Sequence, residues 1–286
     1  MRLLISSLLF FLSLSTFAQS VTKLAELPKD LEEISGIEKL TNSSLIWGIN
    51  DSGNEPIVYG FSEEGEIEQE VEIENAENVD WEDLATDFNG TLFIGDFGNN
   101  DNNRKNLSIY IVKNFLHQGE KAKAEKINFT FEDQKKFPAK KGNRNFGSEA
   151  FIYKDGYLYI FTKNRTKHSD GTVNLYKIPA QAGTYQAKKI DTYKTCDNNR
   201  HGCWITAASI NKENTEILLL SEEKIWRIKD FKNDHFFNGN IESYTIEGNQ
   251  TQKESICFKN ENTAYLADEE NGDEGRNLYE FTFSDK

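Results

Sequence analysis

The chain repeats itself five times, and that repeat limits its fold more than any other feature of its 286 residues. Ile34-Ser35-Gly36-Ile37, Trp81-Glu82-Asp83-Leu84, Ser148-Glu149-Ala150-Phe151, Ile205-Thr206-Ala207-Ala208 and Lys253-Glu254-Ser255-Ile256 align as one element. Each is followed by a polar turn and an apolar run. Leu45, Leu92 and Ala264 stand ten residues after Ser35, Glu82 and Glu254. Leu158 stands nine after Glu149 and Ile217 eleven after Thr206, the difference falling in the turn. A third segment always carries an aromatic residue: Tyr59, Tyr110, Tyr176, Trp226 or Tyr279. Alternating segments then follow at 67–73, 127–131, 189–193 and 241–246. Period-two alternation marks half-buried strands.

Four strands per unit, with the aligned positions 47, 67, 57 and 48 residues apart, predict an all-β fold, a five-bladed β-propeller. The last copy lacks a fourth strand, while the segment from Val21 to Leu27 is a spare one. The N-terminal strand is therefore expected to close the ring and cover an exposed sheet edge. A β-sandwich gives no reason for five similar copies. Residues 19–286 are expected to form this single domain, with 134–141 and 229–238 as loops.

Residues 1–18 are expected to be a signal peptide: a basic start at Met1-Arg2, an apolar run from Leu3 to Leu14, and small residues around Ala18. The run is shorter than the roughly 18–20 apolar residues a spanning helix needs. The expectation is an exported protein, periplasmic or extracellular, with no membrane span. In that oxidising setting Cys196 and Cys203, which bracket a short polar loop, are expected to form a disulfide, and Cys257 to be a buried thiol. A net charge of −14 repels phosphate backbones, which excludes a nucleic-acid polymer as partner, and offers oxygen ligands to hard cations. The four histidines are scattered and match no zinc-ligand spacing.

In a propeller the first strand of each blade lines the axis. Ser35, Glu82, Glu149, Thr206 and Glu254 would then ring one mouth of the channel. The loops opening there carry Asp51, Asp96, Arg104, Arg144, Arg165, Arg200 and His201, the candidate ligand-binding residues. Converging glutamates repel one another and must take up protons or hold a cation. Calcium accepts about 6–8 oxygen ligands in flexible geometry, so Ca2+ is the expected cofactor; magnesium demands a tighter octahedron.

The order of these ring residues resembles that of the calcium-activated apyrases, soluble nucleotidases built as five-bladed propellers. In that family a Ser, Glu, Glu, Ser, Glu series, one member from each blade, holds the axial calcium. The matching positions here are Ser35, Glu82, Glu149, Thr206 and Glu254, with threonine in place of one serine. The resemblance covers the repeat architecture of the mature chain and implies calcium binding and nucleotide hydrolysis. One departure bears on catalysis: Asn50-Asp51-Ser52 stands where the family carries Asp-Asp-Arg, so a phosphate-binding arginine is missing. The run Asp80-Trp81-Glu82-Asp83-Leu84-Ala85 is similar to secreted bacterial propellers of unassigned activity.

The expected function is a calcium-binding propeller that recognises a small molecule or glycan at its mouth. A calcium-dependent phosphate-ester or nucleotide hydrolase is the alternative. A glycosidase comes third, because Glu82, Glu149 and Glu254 hold equivalent blade positions, which suits metal binding better than a differentiated acid and base about 5–10 Å apart. No catalytic residue is assigned.

Overall fold

Short runs rich in Val, Ile, Phe and Tyr, bounded by Gly, Asn and Asp, become strands because branched and aromatic side chains pack well on a pleated surface. A computed structural model describes residues 20–196, 200–248 and 250–283, without the side chains of Ser20 and Arg200. The expected signal peptide lies outside the described residues. Strand β1 is Ser20–Glu26, followed by β2 Ile34–Lys39, β3 Ile46–Asn50, β4 Ile57–Phe61 and β5 Ile67–Ile73. Next come β6 Trp81–Thr86, β7 Leu92–Asp96, β8 Leu107–Val112, the short β9 Lys121–Ala122 and β10 Glu125–Phe131. Then follow β11 Gly147–Lys154, β12 Tyr157–Lys163, β13 Thr172–Pro179 and β14 Gly183–Lys194. The chain continues with β15 Ala207–Ile210, β16 Ile217–Leu220, β17 Lys224–Lys229 and β18 Asn240–Thr245. It ends on β19 Lys253–Asn260, β20 Thr263–Asp268 and β21 Asn277–Thr282. The stretches at 134–141 and 229–238 are mostly loop, with 3-10 turns at Lys141–Asn143 and Phe236–Asn238.

Hydrogen bonding gathers these strands into four sheets, built of antiparallel meanders. One sheet has the order β2-β3-β4-β5-β9, another β15-β16-β17-β18, and a third β1-β21-β20-β19. The fourth has eight strands because β10 and β14, the outer strands of two meanders, pair in parallel from Ile127↔Gly183 to Phe131↔Ala187. The N-terminal strand completes the last meander, β1 lying antiparallel to β21 with Val21 opposite Phe281.

The first strands form a closed circuit: β2 packs on β6, β6 on β11, β11 on β15, β15 on β19, and β19 back on β2. Burial grades outward from this circuit. Every residue of β6 and β7 is buried, whereas the outer strands β5, β14 and β18 alternate or face solvent. Between consecutive meanders lies a separate hydrophobic cluster. One joins Trp47 and Val71 to Trp81 and Tyr110; another joins Phe93 and Phe129 to Phe151 and Tyr176. The last joins Tyr265 and Leu278 to Ile34 and Ile37, which packs the end of the chain against its beginning. Losing one such aromatic costs about 3–5 kcal/mol.

The axis is plugged below the mouth. Asp83, fully buried on β6, accepts hydrogen bonds from Leu84 N–H at 2.9 Å, Phe151 N–H at 3.0 Å and Ala208 N–H at 3.4 Å. The side chain thus ties three first strands together. Gly36 on β2 lies so close that a Cβ there would be 2.8 Å from Asp83 Cα, so only glycine fits.

Candidate functional site

The ring positions share one local irregularity, an extra residue on the first strand. Ile34 pairs with Asn50 and Gly36 with Ile49, leaving Ser35 unpaired between them. Glu82 is skipped in the same way between Trp81↔Asp96 and Asp83↔Gly95. Glu149 is skipped between Ser148↔Thr162 and Ala150↔Phe161, and Glu254 between Lys253↔Asp268 and Ser255↔Ala267. Thr206 precedes β15, and its N–H donates to Leu220 O at 2.9 Å, the residue that also pairs with Ala207. A β-bulge bends the strand and re-aims the extra side chain.

Ser35, Glu82, Glu149 and Glu254 open on one cavity of about 590 Å3. Thr206 is fully buried beside it and is not among the lining residues; its hydroxyl donates to Lys253 O at 2.7 Å. Ser35 Oγ donates in the same manner to Trp81 O at 2.9 Å. Both hydroxyls therefore reach the residue just before the next meander's glutamate and staple neighbouring units.

The candidate ligand-binding residues divide. Asp51, Arg165 and His201 line the cavity. Asp96 and Arg104 do not: Arg104 Nη2 meets Asp96 Oδ1 at 2.8 Å while Nη1 donates to Gly98 O at 2.8 Å. Arg144 turns to Ala139 O at 3.4 Å and Asp101 at 3.5 Å, also outside the cavity lining. The side chain of Arg200 lies outside the described residues. Asp268 is buried under Thr251, Asn277 and Tyr279, all of which donate to its carboxylate.

Three further residues belong to the site: Glu269 and Lys163 line the cavity, while Asp80 adjoins it without being among the lining residues. Asp80 stands beside Asp51 and Glu82, and these three carboxylates offer oxygen atoms all within 4.8 Å of one another. Room for them exists because residue 98 is glycine; a Cβ there would collide with Glu82 Oε1 and the Asp80 carboxylate. Burial, then the charge of Asp51, pushes the Asp80 carboxyl up to about 7. Burial and the nearby Glu149 and Asp51 hold Glu82 well above the usual carboxylate range. Glu269 is pushed up to about 9 by burial and by Glu254, itself raised to about 8, chiefly by burial. The third residue is Lys163, whose buried ammonium pairs with Glu149 Oε2. Burial alone would lower its pKa, but Glu149 and Glu254 carry it above the ordinary lysine value.

Across the cavity Trp204 is held by a hydrogen bond from Nε1 to Asn164 O at 2.5 Å. The Arg165 guanidinium lies 4.9 Å from its ring centroid, a cation–π distance, and also contacts Glu149 Oε1 at 3.0 Å. His201 Nδ1 is 2.8 Å from Glu222 Oε2. The Cys196–Cys203 disulfide, with the helical turn α1 at Arg200–Cys203, anchors this side. Cys257 is a buried free thiol, and burial pushes it far above the ordinary range. Seven lining residues are Asp or Glu and two are Lys or Arg, so the cavity attracts cations and repels polyanions.

A hard divalent cation fits the corner formed by Asp51, Asp80 and Glu82, where oxygen donors from two meanders converge beside a glycine. The Glu149 position fits such an ion less well, since both of its carboxylate oxygens face cationic side chains.

No protein-family model matches the chain, and no curated protein matches it by sequence. Solved structures do match its fold. The PQQ-bound aldose sugar dehydrogenase of Streptomyces coelicolor aligns with a TM-score of 0.53 at 10% identity, over 93% of this chain and 98% of that one. A gluconolactonase of Xanthomonas campestris aligns with a TM-score of 0.51 at 8% identity, over 92% and 89%. At such identities the likeness concerns architecture alone. These neighbours are β-propellers, and the chain, all-β and built of meanders around an axis, has the β-propeller fold.

Proposed function

We propose that this protein is an exported, five-bladed β-propeller that holds a calcium ion at Asp51, Asp80 and Glu82 and binds a hydroxyl-rich small molecule or glycan at the surrounding mouth. The observation that carries the reading is the convergence of those three carboxylates, within 4.8 Å, at the rim of a cavity of about 590 Å3. The circuit of first strands and the clusters between consecutive meanders support five blades. The disulfide supports an oxidising compartment. Ser35, Glu149 and Glu254 complete the cavity wall, and Thr206 staples it from behind. Trp204 offers an aromatic surface, and Asn100, Gln250, Gln252 and Asn271 offer amides suited to hydroxyl groups.

The nucleotidase reading comes second. It draws on Arg165 and His201 beside Trp204, but each is paired with a glutamate, and the carboxylate excess opposes a polyphosphate. Calorimetric titration of calcium into the full chain tests the first reading. Calcium at one hundred times its dissociation constant stabilises the fold by about 2.7 kcal/mol, a rise in Tm of about 5–10 °C that chelation abolishes. Asp80→Asn should remove most of that rise. If chelation and Asp80→Asn both leave Tm unchanged, the calcium site is wrong. A glycan array on the calcium-loaded protein tests the ligand class.

A further inference from the structure

The resemblance to calcium-activated propellers implies a metal ion on the axis, bound by the ring. The donor set on the axis does not suit one. Glu149 Oε2 is taken by Lys163 Nζ and Oε1 by Arg165 at 3.0 Å, while Thr206 has no place in the cavity wall. The placement of Lys163 follows from register. In three meanders the residue that follows the second-strand partner of the bulge is charged, Asp51 after Asn50, Lys163 after Thr162 and Glu269 after Asp268, whereas at the β6–β7 bulge it is the buried Phe97. All three charged residues line the cavity. Two are acids and the third is a lysine. The Lys163 side chain is 6% exposed, and its Nζ lies 5.6 Å from the Trp204 ring centroid. A buried ammonium of this kind persists where carboxylates compensate its lost hydration.

We propose that Lys163 is a tethered counter-ion: its ammonium, paired with Glu149, takes the place of an axial ion, so the mouth takes its divalent ion off the axis and takes no second one. The off-axis ion rests on the calcium reading above; the exclusion of an axial ion does not. Calcium titration of the full chain, with Tm measured with and without chelator, tests it on wild type, Lys163→Gln and Lys163→Arg. Wild type and Lys163→Arg should each bind a single calcium, and Lys163→Gln a second one, with a larger loss of Tm on chelation. Wild type binding one ion and Lys163→Gln still binding one overturns the role of Lys163 and leaves the calcium site standing. Wild type binding none while Lys163→Gln binds one upholds Lys163 and removes the off-axis site. A wild type that binds two ions overturns the proposal outright. If Lys163→Gln folds with calcium alone, the metal is replacing the lysine, which supports it. Should that variant fold under neither condition, the nitrogen NMR signal of the wild-type ammonium decides. A slowly exchanging Lys163 signal that survives saturating calcium upholds the proposal, and its loss on adding calcium overturns it.

Discussion

Glu82 and Asp83 are chain neighbours with opposite tasks. The bulge turns Glu82 into the cavity, while Asp83 collects backbone N–H groups from two other meanders. Asp83→Ala leaves the Phe151 and Ala208 amides without that acceptor, and a buried unsatisfied donor costs about 1–3 kcal/mol. Thermal unfolding should show a fall of roughly 4–10 °C, and a smaller one for Asp83→Asn, which keeps an acceptor oxygen. Glu38, at the far end of β2, gives a pH signature. Burial pushes its carboxyl up from 4.5 to about 8, so the folded state holds the proton longer than the unfolded chain. Stability from this group is therefore full below pH 4.5 and declines as pH rises through about 8. Glu38→Gln should raise Tm at about pH 8 and change it little near pH 4.5; an equal effect at both would rule this out. The sequence could not tell Arg104 from Arg165. Both sit in polar loops after second strands, and only the fold brings Asp96 to one and Trp204 to the other.

At the scale of elements, the strand order was legible because apolar alternation and turn residues report directly on burial and chain reversal. Tyr110, Tyr176 and Tyr279 are each in third strands, with hydroxyls bonded to Glu77 O, Asp133 and Asp268. The bulges were not legible, since an extra residue on one strand is defined by its partner's count and leaves no mark in composition. Asp80 was missed for a related reason: it precedes β6, and only Gly98 on the neighbouring loop leaves room for it. Gly98→Ala should accordingly abolish calcium binding in calorimetry while leaving the far-UV circular dichroism spectrum of the sheets intact. The loop closed by Cys196 and Cys203 carries His201 into the wall that Trp204 shares. Replacing both cysteines by serine should cost about 2 kcal/mol, roughly 4–8 °C, and weaken ligand binding more than calcium binding.

For the whole molecule, the clusters between consecutive meanders make each unit depend on two neighbours, which argues for unfolding as one cooperative event. Deleting residues 20–26 removes the partner of β21 and uncovers a strand edge. The expected result is a lower, broader transition and concentration-dependent aggregation on light scattering; a sharp transition at the wild-type Tm would show that β1 is dispensable.

The pairing of β1 with β21 also sets an order of events during synthesis. Translation delivers β1 well before its partner, so the earlier strand waits while every meander between them is made. Until β21 arrives, the circle of meanders has two free ends, and the seam that packs Ile34 and Ile37 on Tyr265 and Leu278 does not exist. A chain cut short before Asn277 has no way to seal itself.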